Sequence, residues 1–200
     1  MNEEDENIPK YTLENTDNPI ELAQHLIAFA NSEGGRIIIG VKKNNKIIGI
    51  IPQIEKQKIS KIINEYITPN ITYFFQEFKE GFRMVLHIKV LKSVDETIYF
   101  INGSKKEIYL TINQKTIKAN NILEKFYKYR DLNKSIPEIL SEEEGTILNL
   151  ITLSCQLSLN QVFKKINLTR DTTEYILVKL LYRNLIKINH FENTFFISLA

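Results

Sequence analysis

Residues 18–41 decide the fold, and they read NPIELAQHLIAFANSEGGRIIIGV. Pro19 suits the first turn of a helix, where proline loses no needed N–H. Apolar residues then recur at helical spacing and predict one buried helix face, namely Leu22, Ala23, Leu26, Ile27 and Ala30. Gly34 and Gly35 follow this pattern, as expected where a helix ends with a positive φ angle.

The next segment predicts two strands joined by a tight turn. The segment of residues 36–41 is short and rich in Ile, as is typical of a strand buried on both faces. Residues 42–50 read KKNNKIIGI, in which Asn44 and Asn45 favour a two-residue hairpin turn. The sequence therefore predicts a second strand over residues 47–51.

The run from Ala28 to Val41, with Ile47-Ile48-Gly49-Ile50, resembles the signature of the Schlafen AlbA-like domain. Residues 108–112 with Lys118-Ala119-Asn120 resemble the closing strand and helix start of that domain. The resemblance covers residues 8–130 and implies a mixed α/β domain with β-hairpins that binds nucleic acid. The residues of its signature turn are Asn31, Gly34, Gly35 and Gly40.

The rest of this region alternates between helical and strand patterns. The predicted elements are a helix over 54–67, a hairpin of 71–79 with 82–91, a strand pair of 97–101 with 107–112, and a helix over 119–129. Pro52 is expected to interrupt the pattern before the first of these.

Residues 141–200 predict a second, smaller domain after a linker over 131–140. Ser141 and Ser158 each open a capping box, and Thr169 caps a third helix. A hairpin of 185–189 with 195–199 completes the element order of a winged helix-turn-helix, which this region resembles. We therefore predict an α+β protein: an acidic disordered tail over 1–7, an AlbA-like domain over 8–130, the linker, and a winged helix-turn-helix over 141–200.

Charge is distributed unevenly along the chain. Residues 21–140 hold 19 Lys or Arg against 12 acids, whereas residues 1–20 hold six acids and one lysine. The middle segment is thus basic enough for phosphate contacts. No apolar run reaches the ~18 residues of a membrane span, and the acidic N-terminus is unlike a signal peptide. We expect a cytoplasmic protein without membrane contact.

Enzymatic chemistry finds little support in the sequence. Some Schlafen relatives cleave RNA with grouped carboxylates, including an Asp soon after the Gly-Val strand, but Gly40-Val41 leads into Lys42-Lys43-Asn44-Asn45. The paired glycines lack the Gly-Lys-Ser/Thr of a phosphate-binding loop. The histidines lack metal-site spacing, and Cys155 lacks an activating neighbour. We expect no catalytic residues, no metal and no cofactor.

Three basic groups are candidate nucleic-acid contacts. They are Arg36 with Lys42, Lys43 and Lys46; Lys105, Lys106, Lys115 and Lys118; and Arg170, Thr172, Thr173, Lys179 and Arg183 on the third C-terminal helix. On that helix we predict that Arg170, Glu174, Lys179 and Arg183 face outward, with Val178 and Tyr182 as an outward stripe suited to a homodimer. A simple solvated surface is the alternative for each group.

Together these patterns favour a DNA-binding transcriptional regulator without catalytic activity, with RNA as a possible ligand. A protein-interaction or dimerisation module is the second hypothesis, and a degenerate Schlafen-type RNA nuclease is the third. Salt dependence separates the first two, because phosphate contacts release counterions.

Overall fold

The computed structural model of the protein describes residues 9–132 and 139–200. The chain divides into two compact units between Lys118 and Ala119. The predicted tail lies outside the described residues, and so does most of the predicted linker. Within the described ranges, no helix combines the length and the hydrophobicity needed to cross a bilayer.

The first unit is built around a four-stranded sheet. Its strands, in spatial order, are β1 (Lys10–Leu13), β2 (Gly35–Ile39), β5 (Arg83–Val90) and β4 (Tyr73–Glu80). β1 runs parallel to β2, and the other two pairs are antiparallel. The helices α1 (Pro19–Asn31) and α2 (Pro52–Tyr66) pack on one face of this sheet. The core on that face includes Leu22, Leu26, Ile37, Ile39, Ile59, Leu86 and Ile88, all fully buried.

The opening stretch folds largely as its pattern predicts. The Asn18 side chain accepts a hydrogen bond from the Glu21 N–H and caps α1. Gly35 begins β2 where a Cβ atom would overlap the ring of Phe29, so only glycine lets the strand lie this close to the helix.

The predicted strand over residues 47–51 is wrong. Gly40 has a φ of +100°, a left-handed conformation in which β2 cannot continue. The carbonyl of Gly40 accepts hydrogen bonds from both Ile48 and Gly49, and a single bridge joins Val41 to Ile47. β2 pairs instead with β1 and β5. Helix α2 begins at Pro52, two residues before its predicted start at residue 54, because a proline in the first turn loses no needed N–H.

Two short hairpins replace the single strand pair predicted after residue 97. β6 (Tyr99–Asn102) pairs with β7 (Lys105–Glu107), and β8 (Tyr109–Ile112) pairs with β9 (Lys115–Lys118). The β8–β9 turn places Asn113 and Gln114 at φ +50° and +61°. A further short strand, β3 (Ile67–Thr68), pairs with β6. The predicted hairpin of 71–79 with 82–91 is confirmed as β4 and β5.

The second unit begins with a helix that the sequence assigned to the first domain. α3 (Asn121–Asp131) packs against α6 (Arg170–Tyr182), and Ile122 belongs to the core of this unit. The apolar face of α3 packs into the core of the second unit. The spacing of apolar residues in the sequence cannot tell whether a helix packs into this core or into that of the first unit. The remaining elements are α4 (Glu142–Ser154), β10 (Gln156–Ser158), α5 (Leu159–Lys165), β11 (Ile186–Phe191) and β12 (Thr194–Leu199).

Both predicted capping boxes are present. Ser141 and Glu144 exchange hydrogen bonds at the start of α4, and Ser158 and Gln161 do so at the start of α5. The Thr169 side chain caps α6. β10, β12 and β11 form a three-stranded antiparallel sheet in that order, which confirms the predicted C-terminal hairpin.

Candidate nucleic-acid interface

Among residues 9–118, the helices α1 and α2 pack on one face of the four-stranded sheet, and we call the opposite face the open face. Successive side chains of a strand point to opposite faces of a sheet. Ile37 and Leu86 therefore face the helices, and the residues next to them in sequence face the open face. The register aligns Lys10, Arg36, Lys89 and Phe74 in one row across all four strands. This row, the basic rung, places three cationic side chains beside an aromatic ring that is 53% exposed.

The next row across the sheet is neutral. It consists of Thr12, Ile38, His87 and Gln76, one from each strand. Phe78 follows on β4, and its ring centroid lies 4.2 Å from that of His87. Together these side chains line a groove of about 730 Å³ on the open face, which also touches Lys10, Arg36 and Glu80. The groove thus joins a cationic end to a neutral, partly aromatic floor.

The environment of His87 combines burial with the charges of nearby cations. Burial lowers the pKa of His87 most strongly, and the charges of Arg36 and Lys10 lower it further, to about 4. His87 is therefore neutral at pH 7. In this form the imidazole offers one donor and one acceptor rather than a positive charge.

The lysine-rich turn over residues 42–46 lies at the rim of the groove. Asn45 and Ile47 line the groove itself, and Lys42 and Lys43 line a neighbouring depression of about 490 Å³. The turn closes with a hydrogen bond from the Lys42 N–H to the Lys46 carbonyl. Lys42 lies 3.6 Å from Glu14, a contact exposed to solvent on both sides and of little energetic weight. The structure thus brings Arg36 and this predicted hairpin to one surface.

The second predicted lysine group lies on the small hairpins. Lys105 and Lys106 belong to β7, and Lys115 and Lys118 to β9. The Lys118 ammonium lies 2.6 Å from Glu107, and Lys106 lies over the ring of Tyr99. None of the four lines the groove.

Helix α6 uses its predicted contact residues mainly for its own packing. Lys179 Nζ lies 2.5 Å and Arg183 Nη1 lies 3.0 Å from the carboxylate of Glu144, which is fully buried. The prediction that Lys179 and Arg183 face outward is therefore wrong. A buried carboxylate needs paired cations, and α6 supplies them to α4.

The N-terminal half of α6 shows the same pattern with a second carboxylate. Glu174 is 3% exposed rather than outward, and it binds both Arg170 and Lys125 of α3, at 3.0 and 2.6 Å. Thr173 is buried and its hydroxyl donates to the Thr169 carbonyl. Of the predicted reading residues, Arg170 and Thr172 are exposed.

The surface stripe proposed for a dimer is not present as predicted. Val178 is 2% exposed and belongs to the core of the second unit. Tyr182 is 36% exposed and packs edge-on against Tyr129 of α3. Addition of α3 to this unit covers the helix face that the sequence left open.

The signature turn of the first unit is structural. The buried Asn31 amide donates to the carbonyls of Ile98 and Tyr109, at 2.8 and 3.2 Å, and accepts from the Ile98 N–H at 2.9 Å. It thus fastens the end of α1 to the chain around β6 and β8. Gly34 and Gly40 have φ angles of +80° and +100°. These residues shape the sheet that carries the open face.

The carboxylates near the first strand do not form a cluster. Glu21 accepts a hydrogen bond from the Tyr11 hydroxyl at 2.6 Å, and Glu55 accepts one from Thr16 at 2.5 Å. Among residues 9–132 and 139–200, no three His, Cys, Asp or Glu side chains are grouped closely enough to hold a metal ion.

Sequence reasoning missed several residues of the open face. Lys10, Lys89, Phe74, Gln76 and His87 all lie there. The signal was present on β4, where Phe74, Gln76 and Phe78 alternate with the core-facing Tyr73 and Phe75. Assigning the first set to a shared surface required knowledge of which strands are neighbours.

Comparison with known proteins gives one family match. Residues 4–120 match the family model described as Schlafen, AlbA_2, and this match ends close to the division between the two units. No curated protein matches the chain.

Two solved structures are similar over part of the chain. One is the DIP2311 protein from Corynebacterium diphtheriae, at 15% identity and a TM-score of 0.42, covering 70% of this chain and 26% of that one. The other is the N-terminal domain of a protein from Nitrosomonas europaea described as related to the ATP-dependent DNA helicase RecG. It has 15% identity and a TM-score of 0.40, covering 70% of this chain and 88% of that one.

Proposed function

Because this chain belongs to the Schlafen AlbA_2 family, we propose that it is a nucleic-acid-binding protein. Its first unit would bind the sugar–phosphate backbone through the basic rung and through the lysine-rich turn at the other end of β2. The observation that carries this proposal is the alignment of Lys10, Arg36 and Lys89 on neighbouring strands, on the sheet face opposite α1 and α2.

The pairing of charges supports the choice of this surface. Among the described residues, Lys10 and Lys89 have no carboxylate within ion-pair distance, so their charges are available to an anion. Phosphates are the natural partners of such a row, because they release counterions when lysines neutralise them. The exposed Lys43 and Lys46 add positive charge in the turn that follows β2, at the end of that strand opposite the basic rung.

The second unit is proposed as a winged helix-turn-helix, and the whole chain as a transcriptional regulator without catalytic activity. Its order of helices and strands and its three-stranded sheet support this fold. The exposed Arg170 and Thr172 at the start of α6 would contact DNA, since such helices read bases with their N-terminal residues. In full-length protein, Thr172→Glu, which leaves the ion pair of Arg170 with Glu174 intact, should then weaken binding to the target duplex. Unchanged binding to every duplex would contradict this role.

Binding of full-length protein to labelled duplex DNA, single-stranded DNA and structured RNA, across a salt series with Mg²⁺, tests the proposal. We expect affinity to fall steeply with salt, and Lys42→Glu/Lys43→Glu/Lys46→Glu to weaken it at least tenfold. A control with equal charge change is Lys61→Glu/Lys128→Glu/Lys187→Glu, at three exposed positions that do not line the groove. Absence of binding at low salt would contradict the proposal, and fragments of RNA on a gel would contradict a non-catalytic role.

The competing module hypothesis gives a different result. A protein-interaction module would bind no nucleic acid at low salt and would elute as a stable dimer. Light scattering of the purified chain measures that state directly, and a homodimer stays a prediction until then.

A further inference from the structure

We propose that the open face binds single-stranded nucleic acid, with Phe74 and Phe78 stacking on unpaired bases while the basic rung holds the adjoining phosphates. This inference rests on the proposed function and specifies its ligand. It concerns the side of the sheet opposite α1 and α2.

The two phenylalanines are positioned as stacking platforms. Phe74 and Phe78 are 53% and 42% exposed, and both lie on the open face of β4. Four residues of strand separate them by about 13 Å. Stacking needs free ring faces at separated points, and it tolerates any base because every base has a π-face.

The basic rung lies beside the first of these rings. Phe74 is directly across from Lys89, which in turn neighbours Arg36 and Lys10 on the next strands. Adjacent strands are about 4.8 Å apart, so a base on Phe74 leaves its phosphate within reach of Lys89. Further phosphates could continue along the rung toward Lys10.

The neutral row suits base edges rather than phosphates. Gln76 offers an amide, and Thr12 a hydroxyl, between the rung and Phe78. His87 can contribute only one ring nitrogen, because its Nδ1 atom is buried, and its pKa of about 4 leaves the ring uncharged at pH 7. These groups can hydrogen-bond to bases that are splayed out of a helix.

A duplex would use this face poorly. Its outer surface presents phosphates while its bases are stacked on one another, so the two phenyl rings would meet the charged backbone. An unpaired strand supplies both the phosphates for the rung and the bases for the rings. The combination of cations and exposed aromatic side chains on a sheet therefore favours the single strand.

The chain contains no tryptophan, which permits a direct optical test. Full-length Phe74→Trp places a single tryptophan on the open face, and Phe82→Trp places one at the tip of the same hairpin. Phe82 is fully exposed and lies in the turn between β4 and β5, outside the paired rows of the open face that contain Phe74. We expect unstructured 12-mers of thymidine or uridine to quench the emission of Phe74→Trp and not that of Phe82→Trp. A duplex of equal length should quench neither.

Affinity measurements complete the test. For the single strand we expect Phe74→Ala/Phe78→Ala to lose at least about 25-fold in affinity, at about fivefold or more per stacked base, with an unchanged salt slope. Phe82→Ala should bind as the wild type does, and Phe74→Tyr/Phe78→Tyr should restore binding, which separates stacking from misfolding.

The outcomes distinguish this inference from the proposed function. Equal binding of duplex and single strand, with no quenching and no effect of the alanine pair, would overturn the inference and leave nucleic-acid binding intact. No binding of either form at low salt would overturn both.

Discussion

On α6, Lys179 and Arg183 surround the fully buried Glu144, whereas on the open face Lys10 and Lys89 pair with no carboxylate of the described residues. Both regions contain the same types of cationic residue. The cations next to Glu144 neutralise a buried carboxylate. The lysines of the open face remain available for a ligand. The difference teaches that the position of the acids, not the number of lysines, decides which surface is a candidate for phosphate binding.

The largest effect is expected where the cations are internal. Glu144→Gln leaves Lys179 and Arg183 without their counter-charge, and breaking such a buried pair costs about 3–5 kcal/mol. Urea unfolding of the full chain, resolved by hydrogen exchange in residues 139–200, measures this loss. Glu143→Gln, at an exposed neighbour, is the control. Equal stability of both variants would remove the contrast between the two regions.

In the first unit, buried backbone groups also need a polar partner, and an uncharged side chain provides it. Asn31→Ala leaves the Ile98 N–H and two carbonyls without their partner, and we expect a loss of about 1–3 kcal/mol. Asn64→Ala on the exposed side of α2 should cost nothing. Chemical denaturation checks both, and a loss at residue 64 equal to that at residue 31 would refute the role assigned to the signature asparagine.

The two units should weaken in different ranges of pH. Burial lowers the pKa of His25 to about 4. Burial, with the charges of Arg36 and Lys10, lowers the pKa of His87 to about 4 as well, whereas the pKa of a histidine in the unfolded chain is near 6.5. The unfolded chain therefore binds protons first as the pH falls, and the first unit loses stability between about 6.5 and 4. The upper limit is about 1.4 kcal/mol per pH unit for each histidine.

The buried carboxylates of the second unit are protonated at a lower pH than the one at which the histidines begin to destabilise the first unit. Burial by itself would raise the pKa of Glu144 and of Glu174, but their bound cations outweigh it and hold each pKa below the ordinary 4.5. Stability from these pairs is present above pH 4.5 and is lost as the pH falls further. Hydrogen exchange at pH 7, 5.5 and 4.5 should show earlier opening of the first unit. His25→Gln should reduce that loss, and simultaneous opening would contradict the assignment.

The smallest effects come from single lysines, and they should differ in kind. Lys89→Gln should leave stability within about 0.5 kcal/mol but lower the single-strand salt slope by about 0.7. Lys179→Gln should lower the unfolding midpoint and leave the affinity of the folded protein unchanged. Thermal melting and fluorescence anisotropy of both variants check that one change affects binding and the other affects stability. Loss of affinity in Lys179→Gln would contradict this separation.

Local patterns predicted much of the fold because their causes are local. The caps at Ser141, Ser158 and Thr169 were correct, since each depends on residues three positions apart. The strand over 47–51 was wrong, because the choice of partner for β2 depends on distant β1 and β5. The assignment of α3 to the first domain had the same origin, as an apolar helix face does not specify which core it enters.

By itself, then, the sequence determined the helices, the signature turn and the family, through spacing, caps and glycine conformations that act within a few residues. Tertiary structure alone decided which cations are available. It paired Lys179 and Arg183 with an acid more than 30 residues earlier in the chain, and it aligned Lys10 and Lys89, which pair with no carboxylate of the described residues, on either side of β2. Charge pairing depends on distance in space, and strand order and helix packing set that distance.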